Sequence, residues 1–193
     1  MADLEGMRVG CAMTGSFCTF KGAFDAWRAL RDAGAELTPI LSFNAASTDT
    51  RFFPAAEVRR IFGEIAGRPP LAALNEVEPI GPKKLLDALA ILPCTGNTLA
   101  KLAHGVADTP VTLAAKSHLR NGRPLVIAVS SNDALAGNAA NLGRLLATRH
   151  VYFVPFRQDD PAEKPNSLVA RFDLLAETLR CALDGRQIQP LLR

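Results

Sequence analysis

Residues 7–16, with the sequence MRVGCAMTGS, join a continuous apolar run to a turn of two hydroxyl residues around a glycine. A short apolar run with this ending is typical of a buried parallel strand that leads into a loop. The residues that follow predict a helix, because apolar side chains recur at three-to-four spacing at Phe17, Phe20, Phe24, Trp27 and Leu30. Gly34 then stops the helix. This part of the chain therefore predicts a strand, a polar turn and an amphipathic helix.

The same alternation of apolar runs and helical patterns continues along the whole sequence. Further strands are predicted at residues 37–43, 89–93, 125–130 and 151–155, the last of these being the final strand. Further helices are predicted at residues 54–67, 97–106, 110–119, 138–148 and 168–183. We expect residues 68–86, which are rich in proline, to be irregular, and residues 156–167 to form a long polar connection. Strands that alternate with helices predict an α/β fold, in which a doubly wound parallel sheet lies between two layers of helices.

The composition describes one ordinary globular domain over residues 1–193. The chain is 48% hydrophobic, and its formal net charge of +3 is too weak and too dispersed to indicate a nucleic-acid partner. A chain of this mass buries roughly 70% of its unfolded surface, which suffices for a core without disulfides or metal. No apolar run reaches the length of about 18 residues that a membrane span requires. Asp3 and Glu5 stand where a signal peptide is basic, so we expect a cytoplasmic protein.

The cysteines and histidines do not form a metal-binding pattern. A C-x-x-C pair is absent among Cys11, Cys18, Cys94 and Cys181. We interpret the cysteines as reduced thiols that serve as small core side chains. His104 and His118 fall on helical segments, where we expect a solvated or packed histidine and not a catalytic one.

Polar turns follow three of the predicted strands. Because ligands bind at the carboxyl ends of the strands in an open parallel sheet, these turns form the candidate site. The first turn contains Thr14, Gly15 and Ser16, where the glycine permits close backbone approach at the start of a helix. The second turn begins at Ser42 and leads to Arg51 through several hydroxyl residues, and the third contains Cys94, Thr95, Asn97 and Thr98. Each turn alone also fits a solvated or capping loop, but three of them together predict a bound phosphate or flat polar cofactor.

The turn at residues 14–16, the hydroxyl of Ser42 after the second strand and the run PCTGNT at residues 93–98 resemble the flavoprotein family that includes flavin-containing cysteine decarboxylases and flavin prenyltransferases. Within that family the sequence is most similar, over residues 8–171, to the B subunits of dipicolinate synthase from spore-forming bacteria. This likeness is carried by the runs TGSFCTF, STDTRF, EPIGPKKLLD, PCTGNTLAK, AAKSHLRNGRPLVIAVSSND, RLLAT, PFRQDDP and KPNSLVAR. The resemblance implies a Rossmann-like or flavodoxin-like flavoprotein fold with flavin mononucleotide (FMN) as its cofactor. It implies that FMN lies against Thr14, Gly15, Ser16, Ser42, Cys94, Thr95, Asn97 and Thr98.

The resemblance also implies an oxidoreductase that works with a second subunit in spore formation. Such an enzyme oxidises dihydrodipicolinate to dipicolinate, and its A subunit carries the nicotinamide-binding region. The present chain has no glycine-rich nicotinamide fingerprint, so we expect NAD(P) on the partner. We also expect the chain to form a homo-oligomer.

Two departures separate the sequence from the decarboxylases of this family. Asn138 resembles an asparagine of their P-x-M-N segment, but the proline and the methionine are absent here. Those enzymes use a histidine after the second strand, and residues 44–67 contain none. A flavin-dependent decarboxylase or prenyl transferase is therefore a disfavoured alternative. A non-catalytic scaffold that has lost its cofactor stays open, because a vestigial cofactor loop has the same sequence pattern.

A substrate ring with two carboxylates requires at least two cations in its site. Lys116 and Arg120 lie one helical turn apart, and Arg123 follows three residues later. We predict that these three residues and Arg51 form a dicarboxylate clamp, with Asn138 as a further catalytic candidate. The competing interpretation makes Lys116 and Arg120 part of a solvated basic face and pairs Arg51 with Asp49.

Overall fold

The computed structural model describes residues 4–193 as a sheet between layers of helices. Within these residues, five strands form the parallel part of the sheet: β1 (Arg8–Met13), β2 (Glu36–Leu41), β3 (Ala88–Cys94), β4 (Leu125–Ser131) and β5 (Val151–Phe153). They pair side by side in the order β2-β1-β3-β4-β5. The direction of winding reverses at β1, so the predicted doubly wound parallel sheet is confirmed with a flavodoxin-like strand order.

A β-hairpin occupies the region where the sequence predicts a polar connection. Strands β6 (Phe156–Asp160) and β7 (Lys164–Ala170) are antiparallel, and β7 pairs with the end of β4. The prediction of an unstructured connection at residues 156–167 is therefore wrong, and residues 151–155 are not the final strand. Most side chains of residues 157–166 are exposed, so the hairpin lacks the alternating apolar pattern that identifies a strand in a sequence.

The helices of the described chain are α1 (Phe20–Asp32), α2 (Phe43–Ser47), α3 (Ala55–Ala66), α4 (Leu74–Val77), α5 (Gly96–Ala103), α6 (Pro110–Leu119), α7 (Ala139–Leu146) and α8 (Leu175–Leu183). Residues 168–170, predicted as the start of the last helix, belong to β7. The second strand ends before Phe43, because the Ser42 hydroxyl accepts a hydrogen bond from the Ala45 amide at 3.2 Å and starts α2. The predicted cap and first-turn proline of α6, Thr109 and Pro110, are confirmed.

Helices cover both faces of the sheet and bury its side chains. Helix α1 packs against α8, while α5 packs against both α6 and α7. The strand residues of β3 are all buried, as a parallel sheet covered on both faces requires. Trp27, Phe20 and Phe62 are the largest fully buried side chains. No helix in the described part of the chain is long and apolar enough to cross a membrane.

An ion-pair network joins three strands at their amino ends. Asp87, just before β3, pairs with Arg8 of β1 at 2.6 Å and with Arg123, just before β4, at 3.2 Å. The hydrogen bond from Arg8 lowers the pKa of Asp87. Arg123 also donates to the backbone carbonyl of Leu86. The network fixes the end of the sheet opposite to the polar turns.

His118 is a packed histidine on α6. Its side chain is buried, and Nε2 donates to the Pro124 carbonyl at 3.1 Å. Burial lowers the pKa of His118 to about 4. His104, in contrast, is exposed at the end of α5, with Nε2 at 3.1 Å from the side-chain oxygen of Asn141.

We expect His118 to make folding sensitive to acid. Its pKa is about 4 in the folded chain against 6.5 for an ordinary histidine, so the unfolded state binds the proton first as the pH falls. The contribution of His118 to the free energy of unfolding is therefore fully present above pH 6.5. It is lost as the pH falls from there toward 4. The free energy of unfolding is measured with denaturant near neutral pH and near pH 4.5. Between these two pH values, His118→Gln should lose about 2 kcal/mol less of this free energy than wild type. His104→Gln is the control, and its free energy of unfolding should decrease with acid as much as that of wild type. If His118→Gln also decreased as much as wild type, this role of His118 would be contradicted.

Candidate functional site

A cleft of ≈ 990 Å³ lies at the carboxyl ends of the parallel strands. Its walls come from the segments after β1 (residues 15–19) and β3 (residues 95–97), and from the end of β4 with the turn that follows it (residues 130–133). Arg51 and Phe52 line it from the segment that follows α2, and Asp159, Lys164 and residues 167–169 line it from the hairpin. The sequence-predicted turns after β1, β2 and β3 therefore contribute to one site.

The turn after β1 is fastened to its neighbours by two hydroxyl groups. The Thr14 hydroxyl donates to the Pro93 carbonyl at 2.8 Å and accepts from the Thr95 amide at 3.0 Å. Because Thr14 is buried by these contacts, it supports the cleft from behind and does not line it. The Ser16 hydroxyl lies 2.7 Å from the Ser130 hydroxyl, which joins the turn after β1 to the end of β4. Gly15 and Ser16 line the cleft directly.

The turn after β3 begins helix α5. The Thr95 hydroxyl caps this helix by accepting from the Thr98 amide at 3.4 Å, and it lies 3.1 Å from the Thr98 hydroxyl. Cys94 is fully buried, and burial raises the pKa of its thiol well above the usual range. Cys94 and Thr98 therefore belong to the supporting layer, whereas Thr95 and Asn97 line the cleft. The first amides of α5 lie at the same wall, where a helix offers donors without partners in its own first turn.

Asn138 contributes to the site by holding Asp133. Its side-chain amide donates to Oδ2 of Asp133 at 2.7 Å, and the Ser131 hydroxyl donates to Oδ1 at 2.5 Å. Both Asp133 oxygens are thus engaged, and Asn138 is buried beneath the lining residues. An added Cβ on Gly96 would lie 2.6 Å from the side chains of Asn138, Asp133 and Ser131. This contact requires a glycine at the start of α5.

Arg51 is an exposed cation of the cleft wall. Its guanidinium carbon lies 4.9 Å from the centre of the Phe52 ring. Asp49, the competing partner considered from the sequence, instead accepts from the Ala55 amide at 2.8 Å and so caps α3. Within residues 4–193, no carboxylate lies at ion-pair distance from Arg51. Its guanidinium is available to an anion.

The other three cations of the predicted clamp lie away from this cleft. Arg123 is held by Asp87 at the amino end of the sheet, which is the end opposite to the cleft. Lys116 lies in the last turn of α6, and Arg120 caps the same helix just before β4 begins. None of these three lines the cleft, so the structure does not assemble them with Arg51. A one-turn spacing on a helix places two cations on one face, but it does not indicate which end of the sheet they reach. Ser42 also stays outside the lining, because it caps α2.

Several lining residues were not singled out from the sequence. Ser130 and Ser131 end β4 and Asp133 follows it, and the rule that ligands bind at strand ends would have found them if applied to that strand. Asp159 and Lys164 come from the hairpin, which no apolar pattern indicates. No histidine is among the residues that line the cleft within the described chain. The described residues also contain no group of three His, Cys, Asp or Glu side chains that could hold a metal ion.

We expect Gly96→Ala to disturb the site from its supporting layer. The new methyl group must displace Asp133, Asn138 or Ser131, and overpacking of this kind costs about 1–3 kcal/mol of unfolding free energy. Gly143→Ala in helix α7 is the matched control, because its Cβ meets no atom within 4 Å. That control should keep or raise stability by up to about 1 kcal/mol. Equal unfolding curves for the two variants would show that the Gly96 contact is not required.

Comparisons with known proteins agree with this architecture. The family model described as "Flavoprotein" matches residues 1–166. The chain is 45% identical to the B subunit of dipicolinate synthase from Bacillus subtilis (strain 168), over 100% of this chain and 96% of that protein. Its structure superposes on the B subunit of dipicolinate synthase from Bacillus halodurans C with a TM-score of 0.91 and 42% identity, covering 100% and 98% of the two chains.

A more distant solved structure shares the fold alone. The FMN-dependent cysteine decarboxylase SpaF superposes with a TM-score of 0.66 at 20% identity, covering 94% of this chain and 98% of that one. The resemblance seen in the sequence runs is thus confirmed over the full chain. The chain belongs to the flavoprotein family and, within it, to the group of dipicolinate synthase B subunits.

Proposed function

We propose that this chain binds FMN in the strand-end cleft and works with a partner subunit to oxidise dihydrodipicolinate to dipicolinate. The observation that carries the proposal is the meeting of three strand-end turns and an unpaired guanidinium in one cleft. The full-length likeness to two B subunits of dipicolinate synthase supports the choice of this reaction.

The residues of the cleft fit FMN in size and in chemistry. Its volume of ≈ 990 Å³ is at the upper end of the range of roughly 300–1,000 Å³ for cofactor sites. The first turn of α5 and the short helix at Phe17–Thr19 both begin at the cleft and offer backbone amides to a phosphate. Gly15 leaves space beside them, since the atoms nearest to an added Cβ belong to Phe17 and Asn44, at 3.5 and 3.7 Å. We assign the phosphate to Gly15 and Ser16 and the ring system to the wall formed by Thr95 and Asn97.

The reaction requires the chain to orient a flat dicarboxylate and to exclude water. Oxidation of the dihydro ring removes a hydride and a proton, and a bound flavin supplies the acceptor for the hydride. Arg51 binds one carboxylate of the substrate with its two-pronged guanidinium. Phe52 beside it gives an apolar surface for the ring. Asp133 keeps both of its oxygens in hydrogen bonds and therefore serves to fix the wall of the cleft.

A partner subunit completes the redox reaction in this proposal. The chain has no glycine-rich nicotinamide fingerprint, so NAD(P) is assigned to the partner, an A subunit. The relatives named as B subunits agree with a two-subunit enzyme. Among the described residues, the lining of the cleft includes no histidine, which does not favour decarboxylase chemistry of the kind inferred for distant family members.

We expect Gly15→Leu to abolish FMN binding while the fold is kept. The leucine side chain would extend beyond the Cβ into the volume where the phosphate is assigned. The purified chain is incubated with FMN and then freed of unbound FMN by gel filtration. Its visible absorption should then show a stoichiometric yellow complex for wild type and no bound flavin for the variant. Gly143→Leu, on an open helix surface, is the control that should bind like wild type. Unchanged FMN binding in Gly15→Leu would place the phosphate elsewhere. A wild-type chain that is colourless after unbound FMN is removed would favour the non-catalytic scaffold.

We expect Arg51→Lys to impair recognition of the dicarboxylate. A lysine keeps the charge but not the two-pronged geometry, and a charge-assisted hydrogen bond is worth about 1.5–3 kcal/mol. When the variant is assayed with the partner subunit, its Michaelis constant should rise or its turnover should fall by at least about tenfold. Its thermal stability should not change, because Arg51 is exposed. Arg60→Lys on α3 is the control, since Arg60 pairs with Glu64 away from the cleft. Near-normal kinetics of Arg51→Lys would exclude Arg51 from the clamp.

A further inference from the structure

We propose that Lys164 of the hairpin binds the second carboxylate of the substrate, so that Lys164 and Arg51 together select a dicarboxylate. This inference rests on the proposed function and names a specificity-determining residue of the same cleft. The sequence indicates neither the hairpin nor a role for Lys164. In this proposal Lys164 takes the role predicted for Lys116, Arg120 and Arg123, which do not line the cleft.

The charge pattern of the lining singles out Lys164. Among the described residues that line the cleft, the cations are Arg51 and Lys164, and the carboxylates are Asp133 and Asp159. The oxygens of Asp133 accept from Ser131 and Asn138, and no cation of the described residues lies at ion-pair distance from this carboxylate. Lys164 is therefore the second positive group that a dianionic ligand meets in this cleft.

The two cations come from separate elements. Arg51 lies in the segment between α2 and α3, whereas Lys164 is the first residue of β7 in the hairpin. A ring that bears one carboxylate on each side of its nitrogen presents two anionic groups that a single guanidinium cannot bind together. Two cations on different walls match such a ligand, while one cation would accept a monocarboxylate equally well.

Asp159 positions Lys164 at the rim of the cleft. The ammonium nitrogen of Lys164 lies 3.0 Å from Oδ2 of Asp159, and this pair raises the pKa of the lysine. The neighbouring Asp160 is used differently, because it accepts from the amides of Ala162 and Glu163 in the hairpin turn. The thiol of Cys18 is the remaining titratable group that acts on Lys164. Asp159 thus orients the lysine, and the nearby charge of Asp160 adds to the rise in its pKa.

The pair is weak enough to be exchanged for a ligand. The side chains of Lys164 and Asp159 are 57% and 40% exposed, and exposed ion pairs contribute little to stability. A substrate carboxylate bound in the cleft offers the lysine an alternative anionic partner. Lys164 can therefore turn from Asp159 to the ligand without a change in the fold.

Calorimetry of ligand binding tests this assignment without an activity assay. The FMN-loaded chain is titrated with pyridine-2,6-dicarboxylate and with pyridine-2-carboxylate, which lacks the second anionic group. Wild type should bind the dicarboxylate more tightly by at least about tenfold, the equivalent of one charge-assisted contact. Lys164→Gln should lose most of that preference, and Lys164→Arg should keep it.

Two comparisons make the outcome specific to Lys164. Arg157→Gln removes a cation from the same hairpin that lines a different cavity, and it should behave like wild type. FMN affinity and thermal stability should be the same in all variants. An unchanged preference in Lys164→Gln would overturn the inference and leave the proposed function in place. A loss of FMN affinity with the ligand preference intact would also overturn it, because Lys164 would then bind the cofactor phosphate. A wild-type chain that does not distinguish the two ligands would contradict both this inference and the proposed substrate.

Discussion

The hydroxyl of Thr14 joins the ends of β1 and β3, and the cleft depends on this join. It donates to the Pro93 carbonyl and accepts from the Thr95 amide, so two neighbouring turns are held at a fixed separation. The contact between Ser16 and Ser130 extends the same connection to β4. Because strands of a parallel sheet all end at one edge, a few hydroxyl groups suffice to unite segments that are distant in sequence.

The two ends of the sheet use their charges in different ways. At the amino end, Asp87 pairs with both Arg8 and Arg123 and so joins the starts of three strands. At the carboxyl end, Arg51 has an aromatic neighbour, and Lys164 has only an exposed partner. The first arrangement stabilises the fold, and the second leaves positive charge for a ligand. This division explains why only some of the basic residues in the sequence belong to the site.

Local patterns in the sequence predict most of the parallel sheet and its polar turns. The apolar run before Thr14 and the helical spacing after it are local properties, so strand and helix could be inferred without knowledge of the rest of the chain. The hairpin could not, because its residues are exposed and its strands depend on pairing with each other and with the end of β4. The partners of Arg123 and Asp49 were also hidden, since both are set by tertiary contacts with Asp87 and with the start of α3.

We propose that FMN binds where the turns after β1 and β3 meet the end of β4. Hydrogen–deuterium exchange of the backbone amides, with and without saturating FMN, tests it at the level of segments. With FMN bound, we expect slower exchange at residues 15–19, 95–98 and 130–133. Exchange around Asp87, at the opposite end of the sheet, should not change. FMN that binds without protecting these three turns would contradict it.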